Sequence, residues 1–190
     1  MNRAFKEGEN FGNLILKESP LEPGDYENCI FSNCDFSDSS MSSINFLECE
    51  FRECNLSLVR LSQTSFRDVK FINCKLLGLH FEECNTLMIT FSFRNCNLNL
   101  CSFYKLKLKG NCFKNSKVIE ADFTEADLSN ASFDECDLER TIFKNSILEK
   151  VDFRTSFNYS IDPELNRIRK ARFSLTGITG LLDKYDIVIE

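Results

Sequence analysis

A chain of 190 residues, 43% of them apolar, is long enough to enclose one continuous core. Its formal charge of −6 sets it apart from nucleic-acid binders, which carry a basic footprint. The opening MNRAFKEGEN lacks the apolar stretch of a secretory signal, and no apolar run approaches the ~20 residues that span a bilayer. The expectation is a cytoplasmic protein with no membrane contact and no direct nucleic-acid contact.

Residues 1–23 place Phe11, Leu14, Ile15 and Leu16 ahead of Pro20 and Pro23 and read as an N-terminal cap. From Tyr26 a large apolar residue returns every fifth position: Phe31, Phe36, Met41, Phe46, Phe51, Leu56, Leu61, Phe66, Phe71, Leu76 and Phe81. The series resumes two residues out of step at Phe93 and continues through Leu98, Phe103, Leu108, Phe113, Val118, Phe123, Leu128, Phe133, Leu138, Phe143 and Leu148 to Phe153. The stretch EECNTLMITFS, residues 82–92, therefore carries a two-residue insertion, with either Thr86 or Met88 at its centre.

A period of five is neither the strand period of two nor the helix period of 3.6. It fits a short extended side, with positions i−2 and i facing inward, followed by a corner. Such a side cannot bury its face alone, so the sides wind around a common axis as an all-β solenoid. A longer period of about 20 residues sets four sides per coil. Every fourth centre gives a ladder of Phe31, Phe51, Phe71, Phe93, Phe113, Phe133 and Phe153. The mostly smaller centres Phe36, Leu56, Leu76, Leu98, Val118 and Leu138 are assigned to the opposite side, with Cys34, Cys54, Cys74, Cys96 and Cys136 at i−2.

That position also accounts for most of the ten cysteines: Cys29, Cys49 and Cys101 share it, while Cys112 falls outside. Cysteine serves there as a small buried hydrophobe. There is no CxxC pair and His80 is the sole histidine, so neither a metal site nor a disulfide framework is expected. His80 sits at an outward i−1 position, and no glycine-rich phosphate loop or HExxH motif accompanies it. No enzyme activity and no cofactor are expected.

The acids cluster in two places. Residues 120–139 hold eight carboxylates and no Lys or Arg, but the preceding coil supplies Lys105, Lys107, Lys114 and Lys117. Each lies 20 residues before Glu125, Asp127, Asp134 or Asp137, which predicts ion pairs between coils. Residues 24–53 carry Asp25, Glu27, Asp35, Asp38, Glu48, Glu50 and Glu53 against Arg52 alone. This is the less compensated surface. In the segment 158–190, Leu175, Ile178, Leu181, Leu182 and Tyr185 share one face of a helix, and Ile187, Val188 and Ile189 follow as a short strand.

The run ADFTE ADLSN ASFDE CDLER, residues 121–140, resembles the pentapeptide repeat family almost residue for residue. The resemblance implies a right-handed quadrilateral β-helix over 24–157. The tail, residues 160–190, is similar to that of the quinolone-resistance (Qnr) branch in its Asp162–Pro163 step, apolar helix and closing apolar triplet. That likeness implies a C-terminal segment that caps the coils and pairs two subunits through Leu175, Ile178, Leu181, Leu182, Tyr185, Ile187 and Ile189. It also implies a non-catalytic mimic of duplex DNA that binds DNA gyrase or topoisomerase IV and alters fluoroquinolone sensitivity. Several members of the branch carry extended loops between coils; here only the two-residue insertion interrupts them. The alternative is a scaffold or immunity-type module with an unrelated protein partner.

Overall fold

The computed structural model describes residues 3–188, apart from the side chain of Met88. Each five-residue unit forms one side of a coil, and four sides close a turn. The two sides with regular strands are sheets of parallel neighbours, one of four strands and one of seven. Phe11, Phe31 and Phe51 stand in register 20 residues apart, whereas Phe71 pairs with Phe93, 22 residues on. The two-residue insertion is therefore looped out without disturbing the register. On the other two sides the coils meet through isolated bridges such as Asp35 with Asn55 and Asp122 with Ile142.

The sides take their shape from alternation and their length from the corner. Within Val69–Ile72, Val69 and Phe71 are buried while Lys70 is exposed. Two residues past nearly every centre the backbone enters the left-handed region, as at Asn28 (φ 52°), Asn33 (54°), Glu48 (54°) and Lys150 (60°). Non-glycine residues enter it at a cost of roughly 1–2 kcal/mol each. The coil above offsets that cost, because the corner N–H donates to a carbonyl 19 residues ahead: Asn28 to Leu47 at 2.9 Å and Glu48 to Arg67 at 2.8 Å. Asparagine recurs at these corners and also ladders, Asn115 Nδ2 donating to Asn95 Oδ1 at 2.8 Å and Asn95 Nδ2 to Asn73 Oδ1 at 2.9 Å.

All the apolar centres read from the sequence, Tyr26 to Phe153, are buried. The phenylalanine ladder is a stack of near-parallel rings with centroids 4.6 Å apart between Phe113 and Phe133 and 5.3 Å between Phe71 and Phe93. It extends past both expected ends, to Phe11 at 4.8 Å from Phe31 and to Phe173 at 5.4 Å from Phe153. A second stack runs from Phe81 through Phe103 and Phe123 to Phe143 at 4.9, 4.6 and 5.4 Å. It meets the first edge to face, with Phe113 and Phe123 at 87° and Phe123 and Phe133 at 88°. Both arrangements are favoured by the ring quadrupole.

The opposing side is thus this second stack. The Phe36, Leu56, Leu76, Leu98, Val118 and Leu138 side directly follows the Phe31 side around the coil and adjoins it at a corner, because sides two units apart are the ones that face. The boundaries also shift. Residues 4–7 pair with Gly24–Glu27, so the segment expected as a separate N-terminal cap is itself a coil. Counting from Phe11 to Phe173, eight coil spacings of about 4.8 Å give a rod of about 38 Å.

At the insertion, Phe81–Glu83 and Thr86–Met88 form single 3-10 turns. Thr86 is exposed, so it is not the buried centre, and the Met88 side chain lies outside the described residues. Ile89 and Phe91 go inward instead, with the Phe91 ring 5.1 Å from Phe81 and 5.0 Å from Phe93. At the other end the expected amphipathic helix is two 3-10 turns, Gly177–Leu181 and Asp183–Tyr185. Gly177 and Gly180 weaken a longer helix and permit a close approach: a Cβ on Gly180 would lie 2.1 Å from the Tyr159 carbonyl.

Candidate functional site

The cysteines are placed by the fold as the spacing implies: nine, Cys84 included, are buried, Cys112 is exposed, and all are free thiols. They do more than fill space. The inward i−2 side chain reaches the carbonyl of a centre residue in the coil below. Cys49 Sγ meets Tyr26 O at 3.2 Å, Cys54 meets Phe31 O at 3.4 Å and Cys74 meets Phe51 O at 3.3 Å. Where Thr or Ser replaces Cys the bond shortens: Thr141 Oγ1 to Val118 O is 2.6 Å and Ser156 Oγ to Phe133 O is 2.7 Å. The common factor is a small donor, which explains why Cys, Ser and Thr interchange there. Burial pushes the thiols of Cys49, Cys101 and Cys136 up to about 12, so they stay protonated. His80 faces outward and contacts Glu82 at 2.9 Å.

With the interior filled, the outward residues are what the rod presents. The belt at 120–139 is ion-paired coil to coil. Lys105 meets Glu125 at 3.5 Å and Lys114 meets Asp134 at 2.8 Å, as the spacing predicts. The other two expected pairs change partner. Lys107 and Lys117 do lie beside Asp127 and Asp137 in the backbone register. Yet Asp127 pairs with Lys109 at 3.2 Å, and Asp137 accepts from Asn158 Nδ2 at 2.9 Å. Long side chains reach sideways along the strand to a neighbouring column, so register alone does not select the partner. Arg140 further holds Glu120 at 3.0 Å and Glu139 at 3.4 Å.

The N-terminal acids are more compensated than their own stretch of sequence suggests, because the first coil supplies cations. Arg3 pairs with Asp25 at 3.2 Å and Lys17 with Asp38 at 3.3 Å. Asp35 accepts from the Ser37 N–H at 2.9 Å, and that bonding to Ser37 holds its carboxyl below the usual range. Glu50 is likewise lowered by the Arg52 guanidinium at 2.9 Å. Among the described residues, Glu27, Asp35, Glu48 and Glu53 have no cation within 4.0 Å. Asp35 is held by the Ser37 N–H and Asn55 Nδ2, so Glu27, Glu48 and Glu53 are the three of the seven acids with neither a cation nor a side-chain hydrogen bond.

The C-terminal residues divide. Leu181 packs against the core and Leu182 is half-buried. Leu175, Ile178, Tyr185 and Ile187 are exposed, Leu175 to 89%, and lie beyond the last ring of the stack. Ile187 and Val188 form no strand, and Ile189 lies outside the described residues. Exposed Phe157 and Leu165 join them at this end; the sequence hides them because their pentads are irregular, with Asn158 where a centre belongs. The groove between the last full coil and the tail is lined by Glu139, Asn158, Tyr159, Thr176, Thr179 and Asp183.

A model of the pentapeptide repeat region matches residues 25–92 and 88–157. Among solved structures, full-length QnrB1, a plasmid-mediated fluoroquinolone resistance protein, shares 20% identity over 97% of this chain and 100% of its own, with a TM-score of 0.46. A trypsin-treated form of QnrB1 gives 17% identity, coverage of 99% and 98%, and a TM-score of 0.47. HetL, a pentapeptide repeat protein involved in heterocyst differentiation regulation from the cyanobacterium Nostoc sp. strain PCC 7120, shares 16% over 90% and 88% with a TM-score of 0.32. No curated protein matches.

Proposed function

The chain belongs to the pentapeptide repeat family, and we propose that it is a non-catalytic protein-binding rod whose partner is a bacterial type II topoisomerase. On this reading a homodimer joined through the exposed C-terminal apolar residues acts in the cytoplasm. It occupies the duplex-DNA site of DNA gyrase or topoisomerase IV and alters fluoroquinolone sensitivity. The observation carrying the proposal is the set of Glu27, Glu48 and Glu53, uncompensated carboxylates on adjacent coils of a narrow β-rod. A positively charged groove made to accept phosphates gains most from carboxylates that have no cation of their own.

The test is a gyrase supercoiling titration with and without a fluoroquinolone. Inhibition that weakens in the double variant Glu27→Lys, Glu53→Lys supports the reading, and restored supercoiling in drug extends it to protection. No effect at large molar excess over either enzyme overturns it. A second reading, a scaffold or immunity-type module for an unrelated protein, is favoured by the ion-paired belt at 120–139. Paired charges project a weak field, which suits a surface recognised by shape.

A further inference from the structure

One side of the rod is electrically polar. It is the side whose buried centres are Tyr26, Phe46, Phe66, Leu108, Leu128 and Leu148. Its corner column reads Gly8, Asn28, Glu48, Asp68, Thr90, Gly110, Asn130, Lys150, Lys170 from one end to the other. Glu48, Asp68, Lys150 and Lys170 are all exposed. None of the four has an opposite charge within 4.0 Å among the described residues, whereas Lys105, Lys109, Lys114 and Arg167 are each paired with an acid of a neighbouring coil. The neighbouring outward column is mixed, with Glu7 and Glu27 at one end, Arg169 at the other and Arg67, Lys109 and Glu149 between them. Unpaired charge in the corner column is thus negative towards the N-terminal coils and positive towards the C-terminal ones.

We infer that this side is a self-complementary surface on which a second copy of the chain lies antiparallel. A two-fold axis in the plane of the side, along the strand direction, maps each column onto itself and reverses its order. Centred at the coil of Gly110, three coils from Lys170 and three from Glu48, it sets Glu48 against Lys170 of the second copy. The same axis sets Asp68 against Lys150, each two coils from the centre. In the adjacent column it brings Arg67 opposite Glu149, which Arg167 of its own chain holds at 2.6 Å. A surface carrying only one sign has no such solution, and a fully paired one gains nothing from it. The contact is separate from the apolar C-terminal residues and differs in kind, because exposed charge pairs are screened by salt.

Sedimentation velocity of the full chain at about 25 mM and about 500 mM NaCl tests this. The wild type is expected to associate about tenfold more tightly at the lower salt. Two charge-reversed variants sharpen it: Glu48→Lys with Asp68→Lys, and Lys150→Glu with Lys170→Glu. Lys and Glu each already occupy left-handed corners elsewhere, as at Lys105 and Glu125, so the exchanges suit the backbone. Each variant alone is expected to lose the salt-sensitive association, and an equimolar mixture to regain it as a heterodimer. Wild-type association that ignores salt, single variants that associate as the wild type does, or a mixture that fails to recover would each overturn the inference. An apolar C-terminal dimer persists at high salt in every variant, so the two contacts are read separately.

Discussion

The coils around Phe113–Phe153 and the coil interrupted at residues 82–92 are built from the same chain pattern but solve the interior differently. In the regular coils each ring lies near-parallel on the one below, Phe103 on Phe123 at an interplanar angle of 3° and Phe133 on Phe153 at 5°. In the interrupted coil Phe91 occupies an i−2 position meant for a small residue, and its ring tilts 50° to Phe81 and 56° to Phe93. Two extra residues leave the register on either side intact while disordering the packing logic of one coil. A solenoid tolerates this because each coil contacts only its neighbours.

The hydrogen bonding differs in parallel. In regular coils the i−2 donor finds a carbonyl 23 residues back, as Ser146 Oγ does at Phe123 O, 2.9 Å away. Asn111 is the i−2 residue whose counterpart carbonyl falls within the Thr86–Met88 turn. Its buried Nδ2 has no partner among the described residues. The insertion thus removes an acceptor one coil away from itself.

The largest expected effect is in alkali and separates the cysteine positions. The buried thiols of Cys49, Cys101 and Cys136 ionise only near about 12 in the folded chain, against about 8.5 when unfolded. A raised folded value means that their stabilisation is full below about 8.5 and is lost as pH rises towards about 12. Denaturant midpoints should fall steadily across that window, and Cys49→Ala with Cys136→Ala should flatten the fall. Cys112→Ala should leave it unchanged. A thiol reagent applied to the native protein should label one of the ten cysteines, the exposed Cys112.

Next come the rings. Phe123→Ala removes a side chain stacked on both faces and should cost about 3–5 kcal/mol in urea unfolding. Phe91→Ala should cost at least about 1 kcal/mol less, since its tilted neighbours have room to relax. Equal losses would mean that the interrupted coil is packed as well as the regular ones. Smaller still are the donors. Ser156→Ala and Thr141→Val should each cost about 1–3 kcal/mol by removing a side-chain donor from a buried carbonyl. Asn111→Ala deletes an unpartnered amide and should be neutral or stabilising in the same assay. The smallest effect is expected at the belt: Lys114→Met should shift the midpoint no more than an ordinary surface substitution, and added salt should erase the difference.

Much of the fold is legible in the sequence because a solenoid writes its geometry as a period. The inward pair i−2 and i, the four sides, the two-residue insertion and the burial of Cys34, Cys54, Cys74, Cys96 and Cys136 all follow from spacing. Less of the candidate surface is legible. Asp25 and Asp38 read as uncompensated because Arg3 and Lys17 lie outside residues 24–53; only the coil stacking brings them adjacent. Exposed Phe157 and Leu165 gave no periodic signal at all.

The sequence by itself determined the coil, since each pentad meets the same neighbours in every turn and a local pattern becomes a global one. Tertiary structure alone decided what breaks translation from coil to coil. It chose Lys109 over Lys107 for Asp127, because a flexible side chain selects among several carboxylates within reach. It turned the Leu175–Tyr185 face into 3-10 turns, because Gly180 must lie against Tyr159 to close the last coil. It also set the two phenylalanine stacks edge to face, because which sides oppose one another depends on closure of the square and not on any single pentad.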